Sequence, residues 1–211
     1  GDLLMRIRKK DGQWEVLTRI TPRPLATRSW RVCDYEGALN APLAAAMVRL
    51  TKSISEDVIV NLMCGSGTLM IEALLGKNTV NEVYGVDHDA SALECAERNL
   101  TAAGCEAKSK LINADIRAGT TLPDRFASIL LADFPFGNLV GSHAENIESY
   151  PMILREAARI AQPEARFILI THEVNLILSV LSSQDQWKIR DQLRVSQRGL
   201  TPIICVLERS N

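Results

Sequence analysis

A chain of 211 residues with 46% hydrophobic content can bury one substantial core, and a net charge of −1 leaves no overall electrostatic bias toward nucleic acid or membrane. No apolar run is long enough to cross a bilayer, no signal peptide is recognisable, and there is no repeat or low-complexity tract, so a globular protein of a reducing cytoplasm is expected. The five cysteines, Cys33, Cys64, Cys95, Cys105 and Cys205, are odd in number and lack Cys-x-x-Cys spacing, so neither a disulfide framework nor a metal site is expected.

The charge is nevertheless unevenly placed. Arg6, Arg8, Lys9, Lys10, Arg19, Arg23, Arg28 and Arg31 outweigh Asp2, Asp11 and Glu15, which makes the first 31 residues basic and the remainder acidic. Alternating runs over 3–8 and 14–20 flank Asp11-Gly12, the pattern of a β-hairpin. Pro22 and Pro24 then end regular structure, and Arg28 and Arg31 beside Trp30 suit phosphate and base contacts, unless the tryptophan packs at a domain junction. Residues 1–32 are expected to be a linker hairpin, and 33–211 the main domain. Because the chain opens on Gly1, it reads as a fragment whose first domain lies upstream.

Asn40 is placed to cap a helix with Pro42 in its first turn, and that N-terminus could help enclose a ligand. From residue 57 onward strands and helices alternate. Strands are expected at 58–62, 82–87, 109–114, 126–132, 166–171, 187–195 and 203–207, and helices at 68–76, 89–103, 150–161 and 174–182. This predicts an α/β fold with a mostly parallel seven-stranded sheet. The last two strands have no helix between them, so they should form an antiparallel hairpin turning at Arg198-Gly199, the ending of class I S-adenosylmethionine-dependent methyltransferases.

Asn61-Leu62-Met63-Cys64-Gly65-Ser66-Gly67-Thr68 joins the first buried strand to its helix by a glycine turn, the arrangement that holds a nucleotide. A triphosphate loop would need lysine after Gly67, where Thr68 stands, and a dinucleotide fingerprint would need glycine where Met70 stands. The remaining reading is a Gly-x-Gly turn whose backbone holds the methionine part of S-adenosylmethionine. Acids stand at the strand ends that face this crevice. Asp87, followed by His88, is spaced to accept the ribose hydroxyls; Asp115 can accept the adenine amino group while Ile116 packs on the ring.

Asp133 opens Asp133-Phe134-Pro135-Phe136-Gly137 at the end of the fourth strand. Methylating an exocyclic amine requires acceptors for its N–H groups, so that the nitrogen lone pair can face the methyl donor. Asp133 and the Phe134 carbonyl can supply them. Pro135 fixes the turn, and Phe136 beside Gly137 can stack on a flat base. His143 and Glu145 are expected in the following loop, and His172 and Glu173 end the fifth strand near the same crevice.

With these residues in place the sequence resembles the RNA methylases related to the THUMP-domain guanosine-N2 methyltransferases of tRNA and rRNA. The likeness rests on Cys64-Gly65-Ser66-Gly67-Thr68 with Ile71-Glu72-Ala73, on Asp133–Gly137 against Asp-Pro-Pro-Tyr-Gly or Asp-Leu-Pro-Phe-Gly, and on the Pro22–Arg31 linker. It implies methyl transfer to a base amine in tRNA or rRNA, with S-adenosylhomocysteine as product and RNA as partner. Asn61 stands where many members have aspartate, and the RNA-capturing THUMP domain is absent from these residues. An adenine-N6 or protein-glutamine methyltransferase, or a module that binds cofactor or RNA without turnover, are the competing readings.

Overall fold

The computed structural model describes residues 4–21, 23–24, 26–76, 80–135, 142–196 and 200–210. The hairpin forms where the Asp-Gly pair places it, between β1 (Met5–Lys10) and β2 (Gln13–Thr18). Lys10 pairs with Gln13, and Asp11 and Gly12 take the positive φ values of 50° and 78° that a two-residue turn requires.

Seven further strands build the main sheet: β3 (Val58–Leu62), β4 (Glu82–Asp87), β5 (Ser109–Asn113), β6 (Ala127–Asp133), β7 (Ala161–Thr171), β8 (Trp187–Arg194) and β9 (Ile203–Arg209). They lie in the order β5-β4-β3-β6-β7-β9-β8. The first five run parallel, while β9 is antiparallel to both β7 and β8, so the terminal hairpin is where the absence of an intervening helix predicts it. The turn joining β8 to β9 at Arg198-Gly199 is outside the described residues.

Helices cover both faces, and the period-two alternation of a strand assigns residues to each. Along β6, Leu130 and Ala132 join the cluster built with α4 (His143–Ile160) and α5 (Val174–Ser182), together with Tyr150, Phe167 and Trp187. Ile129 and Leu131 point the other way, into the cluster of α1 (Ala41–Leu50), α2 (Thr68–Leu74) and α3 (Ala90–Ala102), with Met47, Met70 and Leu100. Each such fully buried aliphatic side chain contributes about 1.5–3 kcal/mol. Gly85 in β4 lies against α2: a Cβ there would collide with the Met70 sulfur.

Three differences from the sequence reading bear on the site. The helix expected from 150 starts at His143, because Ser142 and Glu145 form a capping box: the Ser142 hydroxyl accepts the Glu145 N–H at 3.2 Å, and the Glu145 carboxylate accepts the Ser142 N–H at 2.6 Å. Pro151 sits inside this helix, and the carbonyl it deprives of a partner belongs to the exposed Ile147. Second, Cys33 and Cys95 form a disulfide across 62 residues, with Cα atoms 5.4 Å apart. The expectation of no disulfide failed because this pairing arises from the chain before the sheet folding back on α3. Third, Trp30 is buried, so part of the segment expected as linker packs in the core.

Candidate active site

The carboxyl ends of β3, β4, β5 and β6 open into a cavity of about 380 Å³, a volume within the range of small-molecule sites. Met63 to Ser66, Thr68 and Leu69 form its floor, and Asp87 to Asp89 and Asp115 to Arg117 form one side. Asp133 to Pro135 with Glu145, Asn146, Ser149 and Ile153 of α4 form the other, and residues 35–39 close it from above.

The floor owes its shape to left-handed backbone at Met63, Gly65 and Gly67, with φ of 51°, 53° and 80°. At Gly67, the residue before α2, a Cβ would also lie 3.3 Å from the Cβ of Ala96, so both conformation and space favour glycine. Asp87 holds the turn in place. One of its oxygens accepts the Gly65 N–H at 2.8 Å, and the other accepts the Asp89 N–H at 3.0 Å with His88 Nδ1 at 3.5 Å. Asp115 accepts both the backbone N–H and the guanidinium of Arg117, at 2.9 and 2.7 Å, which keeps its carboxyl below the usual range. Ile116 beside it is buried and lines the cavity.

The cover is anchored from below. Asn99, fully buried on α3, accepts the N–H groups of Val32 and Cys33 at 3.0 and 2.9 Å and donates to the carbonyls of Cys33 and Ser66, both at 3.1 Å. One amide therefore ties the cover to the glycine turn. The Tyr35 hydroxyl donates to Asp89 at 2.5 Å, which raises the phenol to about 12 and lowers the carboxyl to about 2. Asn99, Tyr35, Arg117 and Asn146 have no distinguishing signal in the sequence, since their partners come from distant segments or are the cavity itself. Asn146 is 1% exposed, and its Nδ2 has no hydrogen-bond partner among the described residues.

Asp133 lies at the end of β6, partly open to the cavity but otherwise among apolar groups, and this loss of solvation pushes its carboxyl up to about 7. Phe134 turns its ring into the core, edge-on to Tyr150 with centroids 4.8 Å apart, which leaves its backbone at the cavity. Pro135 also lines the cavity, whereas Phe136 and Gly137 fall outside the described residues.

Other singled-out residues sit elsewhere. Asn40 precedes α1 without a side-chain cap bond, and the neighbouring Leu39, not Asn40, lines the cavity. Asn61 is buried in β3 behind the floor. Its Nδ2 donates to the Leu62 and Leu131 carbonyls, both at 3.2 Å, and its Oδ1 has no partner among the described residues. Arg28 pairs with Glu72 of α2 at 2.7 Å, while Arg31 donates to Leu39 O and Thr68 Oγ1, both at 2.9 Å. Both guanidiniums thus clip the cover to α2. His143 and Glu145 belong to the first turn of α4, not to a loop, and His143 Nδ1 lies 3.0 Å from the Glu173 carboxylate. His172, next to Glu173, is held below its ordinary pKa by burial.

Residues 28–203 match the family described as UPF0020: RMKL-like, methyltransferase domain. Among curated proteins, the chain is 30% identical over 191 residues to the tRNA (guanine(6)-N(2))-methyltransferase THUMP3 of Mus musculus, covering 82% of this chain and 36% of that protein. It is 33% identical over 115 residues to the U6 snRNA (guanine-N(2))-methyltransferase THUMPD2 of Bos taurus, covering 54% and 22%. The crystal structure of TrmN from Thermus thermophilus superposes with a TM-score of 0.80 at 26% identity, covering 98% of this chain and 60% of that one. The chain thus spans about a third or less of the length of the two curated relatives and 60% of the TrmN chain.

Proposed function

Because the chain belongs to the UPF0020 family of RMKL-like methyltransferase domains, we propose that it binds S-adenosylmethionine and transfers a methyl group to an exocyclic base amine in RNA, with guanosine N2 as the target. The observation that carries this reading is the placement of two carboxyl groups on one cavity: Asp87 latched to the glycine turn, and the desolvated Asp133 across from it. Both curated relatives are named for guanine N2 but differ in the RNA, which supports the target atom more strongly than any particular RNA.

The residues present fit the cofactor. Backbone groups at Met63 to Ser66 suit its amino-acid end, Asp87 its ribose hydroxyls, and Asp115 with Ile116 its adenine. The unpartnered Asn61 Oδ1 is an acceptor behind the floor, where the family more often has a carboxylate. When bound, the sulfonium supplies an electrophilic methyl, so alignment and charge stabilisation are what the protein adds. Asp133 and the Phe134 carbonyl take the two N–H groups of the target amine, which turns the nitrogen lone pair toward the methyl. Phe136, outside the described residues, is the aromatic this reading assigns to stacking on the base. The basic hairpin lies before this domain, and we take it as the connection to the RNA-capturing part of a longer protein.

The test is calorimetric titration of S-adenosylmethionine and S-adenosylhomocysteine into the chain and into Asp87→Ala. Nucleoside analysis of RNA treated with the wild type and with Asp133→Ala follows. Cofactor binding that weakens in the first variant, and N2-methylguanosine that disappears in the second, support the reading. N6-methyladenosine would move the target to adenine, and no cofactor binding by the folded chain would remove the assignment.

A further inference from the structure

Behind the Asp133 motif runs a chain of hydrogen bonds whose direction is fixed at both ends. The Tyr150 hydroxyl lies 2.7 Å from the Pro135 carbonyl and 2.7 Å from Thr171 Oγ1, and Thr171 Oγ1 lies 3.0 Å from the Glu173 amide nitrogen. A carbonyl can only accept, so the single Tyr150 proton goes to Pro135. Tyr150 must then accept from Thr171, whose remaining capacity takes the Glu173 N–H. The sequence Glu173 N–H, Thr171 O–H, Tyr150 O–H, Pro135 C=O has one consistent arrangement of protons, and each bond polarises the next. Tyr150 and Thr171 are fully buried, so no water competes for these groups.

The geometry points to Tyr150, backed by Thr171, as a positioning residue for methyl transfer: its hydroxyl holds the Pro135 carbonyl and thereby fixes the Phe134 carbonyl that receives the target amine. The Phe134 N–H donates to Ile170 O at 2.9 Å, its ring is wedged against Tyr150, and the proline ring locks the next φ. With the Pro135 carbonyl also held, the backbone is pinned on both sides of the Phe134 carbonyl, which cannot swing without breaking one of these contacts. Tyr150 is fully buried and is not among the residues that line the cavity. It acts through the backbone, and the brace ends at Glu173, whose carboxylate meets His143 at the start of α4.

This inference rests on the proposed use of the Phe134 carbonyl, so its test has one arm that needs no turnover. Tyr150→Phe keeps the ring and removes only the hydroxyl, while Thr171→Val removes the donor behind it. In the full chain labelled with carbon-13, the Pro135 carbonyl resonance should move upfield in Tyr150→Phe and by a smaller amount in the same direction in Thr171→Val. In single-turnover transfer to RNA, Tyr150→Phe should lower the rate about ten-fold, while S-adenosylhomocysteine affinity changes by less than about two-fold. An unmoved Pro135 resonance overturns the brace. An unchanged rate, or a rate loss matched by an equal loss of cofactor affinity, overturns its positioning role. If the wild-type chain transfers no methyl group to RNA while the resonance moves as expected, the proposed function fails and the brace stands.

Discussion

Asn99 satisfies both backbone groups of Cys33, accepting its N–H at 2.9 Å and donating to its carbonyl at 3.1 Å. The same amide reaches the Ser66 carbonyl in the glycine turn. Replacing it with leucine removes the partner of four backbone groups at once, the N–H groups of Val32 and Cys33 and the carbonyls of Cys33 and Ser66. Asn99→Leu should therefore cost about 2–4 kcal/mol in urea unfolding, and calorimetry should show S-adenosylhomocysteine affinity falling as well.

The Cys33–Cys95 disulfide holds the same stretch by different means, and the two anchors are separable. Cys33→Ser should lose about 2–4 kcal/mol of stability under oxidising conditions and nothing when the wild type is itself reduced. Its cofactor affinity should persist, because the Asn99 bonds reach the Cys33 backbone and survive the substitution. A large affinity loss on reduction would make the disulfide, and not Asn99, the principal anchor of the cover.

Asp133 gives a dependence on pH with a definite sign. An unfolded aspartate ionises near 3.9, whereas burial holds this one protonated up to about 7, so the folded chain keeps a proton that the unfolded chain releases. The stability associated with this group is full below pH 4 and is lost as pH rises through 7. Asp133→Asn should accordingly match the wild type at pH 4, then become more stable across pH 4–7 and level off at an advantage of about 1–3 kcal/mol. The advantage stays modest because the carboxyl is partly open to the cavity. Thermal melts at pH 4 and 8 check it, and the same variant should transfer no methyl group.

At Asp87 the shape of the side chain can be separated from its charge. Asp87→Ala removes both the acceptor for the Gly65 N–H and the acceptors for ribose, and should weaken cofactor binding about 100-fold. Asp87→Asn keeps one acceptor oxygen for Gly65 and should fall between the two. Equal losses in both variants would mean that the negative charge, rather than the latch, is what the ligand uses.

The strands, the glycine turn and the three acids at strand ends were legible in the sequence because each depends on local pattern: a β-branched run, a pair of glycines, an acid where a strand stops. Tyr150 was legible only as an apolar position at the start of a helix, since its partners Pro135 and Thr171 come from two other elements. Asn99 was invisible for the same reason, its partners lying 66 and 33 residues away. Arg28 and Arg31 had the chemistry of phosphate ligands but found a carboxylate, a hydroxyl and a carbonyl within the chain. Which acceptor an arginine meets is decided by the folding back of residues 28–39 across α2, which no spacing rule specifies.

That folding back also sets how a mechanical load passes through the molecule. Between the hairpin and Tyr35 the chain is fastened to α2 by Arg28–Glu72 and by Arg31 on Thr68, then to α3 at Cys33. A displacement of the hairpin therefore has to break these fastenings before it reaches residues 35–39, which line the cavity.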